Sequence, residues 1–88
     1  MLKWKIVYTR QAQQDAKKLS KAGLKGKAMQ LLKMLETGPY QNPPHFEKLD
    51  AELAGAYSRH INMKHRLVYQ VLKNEKTVKI IRMWTHYE

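Results

Sequence analysis

The sequence predicts an α+β fold in which a helical hairpin packs on a mostly antiparallel sheet, in the order β-α-α-β-β-β. Three patterns lead there. The chain opens with period-two alternation of apolar and basic residues, which is strand periodicity. Two amphipathic stretches with helical spacing follow, parted by a glycine. Three further strand-like runs then succeed one another across turns too short for anything but antiparallel neighbours. Helices gathered before the run of strands place both on one face of a single sheet.

In the first strand Leu2, Trp4, Ile6 and Tyr8 alternate with Lys3 and Lys5. Thr9 is a helix N-cap, and Ala12, Ala16 and Leu19 fall on one face of the run from Arg10 to Lys21. Gly23 interrupts. The second helix carries Ala28, Leu31, Leu32 and Leu35 at helical spacing and ends at Gly38-Pro39, with glycine as C-cap and proline as stop. Residues Tyr40 to Ala54 read as a loop, broken by Asn42-Pro43-Pro44. Ala56 to Ile61, Arg66 to Leu72 and Thr77 to Trp84 are the remaining strands. Asn62 to His65 and the polar Lys73-Asn74-Glu75-Lys76 form their turns. No repeat or linker divides residues 1–88, so one domain is expected.

Seventeen basic residues against seven acidic give a net charge of +10. On so small a chain that field favours polyanions, nucleic acid first and an acidic protein partner second. A membrane is disfavoured because no helix carries a long apolar face with large aromatics. There is no cysteine, which excludes disulfides and thiolate metal sites and fits a reducing cytoplasm. No secretory leader is legible after Met1, since the apolar residues alternate with lysines. Lys17, Lys18, Lys21, Lys25, Lys27 and Lys33 read as a solvated helical surface.

Cleavage of RNA without a metal uses the neighbouring 2′-hydroxyl as nucleophile. It needs a base for that proton, a cation for the pentavalent phosphate and an acid for the departing 5′-oxygen. Glu47, Arg66 and His86 supply those three groups. The planar fork of arginine suits phosphate oxygens, and imidazole titrates near neutrality. Tyr87 offers a phenol to orient the phosphate or stack on a base. Each residue also has a plainer reading. Glu47 pairs with Lys48 in a loop, Arg66 is an edge charge, and His86 is simply exposed near a chain end. Strand alternation groups Tyr57 with Arg59 and Ile61, and Ile80 with Arg82 and Trp84, a face His86 extends if the strand runs straight. Which faces coincide across strands is a matter of register. His45, His60 and His65 lack metal-ligand spacing, Ser58 has no elbow glycines, and the four glycines form no phosphate loop.

Several spaced motifs taken together carry a resemblance. They are Glu47-Lys48-Leu49, the run from Leu53 to Ile61, His65-Arg66-Leu67-Val68-Tyr69 and the terminal His86-Tyr87. The chain resembles the YoeB/Txe-type toxins of bacterial toxin–antitoxin modules, in the RelE/ParE superfamily, over nearly its whole length. The resemblance implies a RelE-like fold and a cytoplasmic, cofactor-free, metal-independent endoribonuclease that cuts messenger RNA in the ribosomal A site. It implies a cognate antitoxin that holds the toxin inactive, contact with operator DNA only through that complex, and in some relatives a homodimer. By position it makes Glu47 the base, Arg66 the phosphate clamp and His86 the acid, with Arg59 and Tyr87 in support. Three positions depart from the pattern: Asp50 stands where a lysine is frequent, which leaves Lys48 as the supporting cation, His60 replaces a second arginine, and Glu88 follows the His-Tyr pair. Three rival expectations share the scaffold. One is a ParE-like poison without the acid–base set, the second a nucleic-acid-binding regulator that leaves its ligand intact, and the third an inactive partner module.

Overall fold

A computed structural model of the chain describes residues 3–42, 45–49 and 55–84. Its elements run β1 (Lys5–Tyr8), α1 (Arg10–Lys21), α2 (Lys25–Thr37), β2 (Glu47–Lys48), β3 (Ala56–His60), β4 (Arg66–Leu72) and β5 (Thr77–Arg82). The five strands form one sheet in the order β1-β5-β4-β3-β2, with β1 parallel to β5 and every other pair antiparallel. This is the expected α+β fold with one added element. Strand β2 lies within the stretch that reads as a loop in the sequence. Two residues are too few to show a period; the pairing is supplied by β3, where Ser58 and Tyr57 face Glu47 and Lys48. The ladder continues with Leu49 N–H donating to the Ala56 carbonyl at 2.9 Å.

The helices start and stop for local reasons. Thr9 Oγ1 accepts from the Ala12 N–H at 3.0 Å, satisfying one of the free donors of the first turn of α1. At the other end Leu24 N–H donates to the Leu19 carbonyl and Gly23 N–H to that of Ser20, with Gly23 at φ +77°. That is a Schellman stop, which places glycine where a Cβ would be strained. Gly38 is the C-cap of α2 as expected, but without the left-handed conformation that favours glycine. It caps α2 with φ −178°, an extended conformation open to any residue, while its N–H and the Thr37 hydroxyl both donate to the Met34 carbonyl.

Ala12 and Leu19 of α1 and Ala28, Leu31, Leu32 and Leu35 of α2 are buried against Ile6, Leu67, Tyr69, Val78 and Ile80 of the sheet. The register explains why those strand residues share a face, since Ile6 and Val71 both stand beside Val78, and Tyr69 beside both Ile80 and Tyr57. The opposite face therefore carries Glu47, Ser58, Val68 and Arg66. Among the described residues no helix is long and apolar enough to cross a membrane.

β5 ends sooner than its sequence suggests. Tyr69 pairs with Ile80 but Val68 pairs with Arg82, so Ile81 is an extra residue and the strand is bulged. Thr9 reads that irregularity: its N–H donates to the Ile80 carbonyl at 3.1 Å and its hydroxyl to the Ile81 carbonyl at 2.9 Å. The bulge breaks the alternation that groups Ile80, Arg82 and Trp84, and Met83 turns into the core at 2% exposure.

Candidate functional site

Glu47 and Arg66 meet on the sheet face away from the helices. Glu47 pairs with Ser58, Ser58 pairs with Val68, and Arg66 lies two residues from Val68 on the same side of β4. Arg66 Nη1 stands 3.7 Å from Glu47 Oε1, with side chains 25% and 49% exposed. A pair this open adds no more than about 1 kcal/mol to stability. What it does is hold an acceptor-only group and a guanidinium fork side by side, with both reachable from solvent. A ligand phosphate can bind the guanidinium while the carboxylate takes a proton from a neighbouring hydroxyl.

Arg59 is placed differently. It shares the helix-side face with Tyr57, as the alternation groups it, and is 1% exposed. Its Nε donates to the Tyr69 hydroxyl at 2.9 Å and its Nη2 to the Pro39 carbonyl at 3.0 Å. The Tyr69 hydroxyl donates to the same carbonyl at 3.1 Å. The guanidinium also lies 4.6 Å over the ring of Phe46, next to Glu47 in the chain. Arg59 thus has no surface to offer RNA; its contacts are with Phe46, the neighbour of Glu47, and with the segment after α2. Burial pushes the Tyr69 phenol above its ordinary pKa, against the hydrogen bond and charge of Arg59, which act to lower it.

Lys48 pairs with Tyr57, so strand alternation turns it to the face opposite Glu47. There it lines a cleft of about 560 Å³ with Tyr40, Tyr57 and Lys73, away from the Glu47–Arg66 pair. His60 is the cross-strand partner of Arg66 and is exposed. His86 and Tyr87, with Asp50 and Glu88, lie outside the described residues.

Two further features lie where β5 ends, and one of them centres on a residue that the sequence alone does not single out. The first is Asp15, 0% exposed on the inner face of α1. Its Oδ2 accepts from Arg82 Nε at 2.8 Å, the Met83 N–H at 3.0 Å and the Trp84 N–H at 3.3 Å, and its Oδ1 accepts from Gln11 Nε2 at 3.1 Å. Burial acts to raise its pKa, but the bonds from Arg82, Met83 and Gln11 and the charge of Arg82 outweigh burial and hold the carboxyl below its usual range. A signal was present, since an aspartate three residues after Ala12 and four before Leu19 sits in an apolar stripe. The second is a stack of His65 on Trp84, centroids 3.8 Å apart and planes at 20°. His65 directly precedes Arg66, and its N–H is fixed by Asn62 Oδ1 at 2.7 Å.

Residues 5–87 match the family described as the YoeB-like toxin of bacterial type II toxin–antitoxin systems. Among solved structures, the chain is similar to a YoeB/ParE toxin from Agrobacterium tumefaciens, with TM-score 0.85 and 27% identity over 94% of this chain and 99% of that one. It is also similar to the YoeB–YefM complex from Staphylococcus aureus, with TM-score 0.78 and 34% identity over 96% and 98%. The E. coli DinJ–YafQ complex shares the fold, with TM-score 0.81 at 22% identity over 94% and 92%. Among curated proteins, none matches.

Proposed function

The chain belongs to the YoeB-like toxins of bacterial type II toxin–antitoxin systems, and from that membership we propose that it is a cytoplasmic endoribonuclease that cuts messenger RNA, bound in the ribosomal A site, by metal-independent acid–base chemistry. The observation that carries this reading is the Glu47–Arg66 pair, 3.7 Å apart and reachable from solvent on the sheet face away from the helices, in a chain of charge +10.

Glu47 takes the proton of the 2′-hydroxyl, whose oxygen attacks the adjacent phosphorus. Arg66 donates to the non-bridging oxygens as their charge grows. The bond from phosphorus to the 5′-oxygen breaks, and that oxygen takes a proton from His86, leaving a 2′,3′-cyclic phosphate and a 5′-hydroxyl. Tyr87 orients the phosphate or stacks on a base. Arg59 acts at one remove, by packing Phe46 beside the base. Lys48 contributes charge to the RNA path from the other side of β2.

A cognate antitoxin keeps the activity in check, as the pairing of relatives with YefM and DinJ supports. Operator DNA is then met through that complex. A homodimer is a further assembly, since a YoeB dimer from S. aureus has the same fold with 34% identity. The test is cleavage by wild type and Glu47→Gln. The substitution should abolish cutting on ribosomes while leaving RNA binding nearly unchanged; cutting at the native rate would remove Glu47 as base.

A further inference from the structure

We propose that His60 is the second cation of the phosphate clamp, binding RNA phosphate through the protonated Nε2 of its ring beside Arg66. The proposal rests on the reading of Arg66 given above and adds a residue to which that reading gives no role. His60 is the cross-strand partner of Arg66, and the ladder fixes how the two stand. Beside them Ile61 N–H donates to the His65 carbonyl at 2.9 Å, which makes Ile61 and His65 a hydrogen-bonded pair. Such pairs alternate along an antiparallel ladder with pairs that exchange no bonds, so His60 and Arg66 are of the second kind. In that kind the Cα atoms are about 4.5 Å apart and the two side chains are closest. Their face is the one that carries Glu47, since His60 is two residues from Ser58 and Ser58 pairs with Glu47. Like charges directly opposite one another destabilise a sheet, so an imidazolium facing a guanidinium is unfavourable until an anion lies between them. The ring is held by its own turn. Its Nδ1 is 3.3 Å from the Asn62 carbonyl, which can only accept, so Nδ1 carries the hydrogen of that bond. Asn62 Oδ1 closes the turn by accepting from the Lys64 and His65 N–H groups at 2.9 and 2.7 Å. With its hydrogen on Nδ1, the neutral ring presents a bare Nε2 that repels a phosphate oxygen. A protonated ring presents a charged donor there instead. His60 is exposed, and among the described residues none is hydrogen-bonded to Nε2. The charged groups around the ring are Arg66 on β4, Glu47 on β2, Lys27 of α2, which lines a cleft with it, and Lys64 in the turn. Glu47 is the one carboxylate among them, and it is already paired with Arg66.

A clamp of this kind shows in how RNA affinity depends on pH. The probe is a single-stranded RNA methylated at every 2′-oxygen, which has no nucleophile and is not cut. Its binding is followed by fluorescence anisotropy at constant ionic strength, so that screening does not change with pH. Wild type should bind about 10-fold more tightly near pH 5.5 than near pH 8, because imidazole changes charge across that interval. His60→Gln removes the cation on an exposed residue. It should lose most of the pH dependence and bind throughout about as weakly as wild type does near pH 8. His60→Arg keeps the charge at every pH and should bind throughout about as tightly as wild type does near pH 5.5. Arg66→Gln separates the proposal from the reading it rests on. If Arg66→Gln binds as tightly as wild type across the range, Arg66 clamps no phosphate and the underlying reading falls. If Arg66→Gln binds weakly while His60→Gln keeps the affinity and the pH profile of wild type, the clamp stands and the role of His60 is overturned. A wild-type profile without slope overturns it as well, and so does a slope that survives in His60→Gln because other histidines carry it.

Discussion

Replacing Tyr69 with phenylalanine removes one oxygen from the interior and isolates the lock around Arg59. That oxygen accepts from Arg59 Nε at 2.9 Å and donates to the Pro39 carbonyl at 3.1 Å. Both residues are essentially inaccessible, Arg59 at 1% and Tyr69 at 0%. The lost neutral bond is worth about 1 kcal/mol, and leaving a charged Nε without that acceptor costs a further 1–3 kcal/mol or so. The bond from Nη2 to Pro39 and the contact with Phe46 survive, which favours the lower end. Tyr69→Phe should therefore cost about 2–3 kcal/mol. In a domain of this size the midpoint of thermal unfolding should fall by roughly 10–20 °C. Urea unfolding followed by circular dichroism gives the free energy directly, with the slope unchanged if the native state stays compact. A cost below about 0.5 kcal/mol for Tyr69→Phe, the range of an ordinary surface change, would refute the idea that a buried guanidinium depends on this phenol.

Arg66→Lys keeps the charge and loses the fork, so cleavage should fall by about 10- to 100-fold while stability moves by no more than about 1 kcal/mol; single-turnover rates and a melt separate the two. The folded-state pKa of Asp15 is depressed, so its stabilising effect is complete above the unfolded value near 3.9 and is lost as pH falls through the folded value. Asp15→Asn should accordingly be less stable than wild type at neutral pH and converge on it below about pH 4, as read from urea midpoints across pH. Gly23→Ala meets no atom within 4 Å, yet it forces a side chain onto φ +77°. It should therefore cost about 1 kcal/mol through backbone strain alone, measured by thermal melt.

The helices were legible because apolar spacing near 3.6 residues repeats over three turns, and Ala28, Leu31, Leu32 and Leu35 are all buried as that spacing requires. The strands were legible from alternation, but alternation gives two faces without saying which one meets the helices. Arg59 shows the consequence. Its grouping with Tyr57 was correct, and only the pairing with Leu67 and Tyr69 turns that group inward. Lys48 is the same problem at the sheet edge, where a two-residue strand sends neighbours in sequence to opposite faces. The end of β5 was hidden for another reason. A bulge adds one residue without leaving a mark in composition, so the straight continuation through Trp84 could not be told from the bend that brings Met83 into the core. In the sequence Glu47 and Arg66 stand out through the needs of the reaction and the family motif that contains them. Their approach to 3.7 Å across an intervening strand needed β2, which sequence periodicity does not reveal.

The central claim is that this chain cuts RNA by acid–base chemistry built on Glu47, Arg66 and His86. Messenger RNA on programmed ribosomes, treated with wild type and with His86→Ala and followed by end-group analysis of the fragments, tests it most directly. The account predicts cutting by wild type alone, with 2′,3′-cyclic phosphate or 3′-phosphate ends and 5′-hydroxyls. No cutting by wild type, on ribosomes that a known relative cleaves, would contradict it and leave a poison or a plain nucleic-acid binder on the same fold.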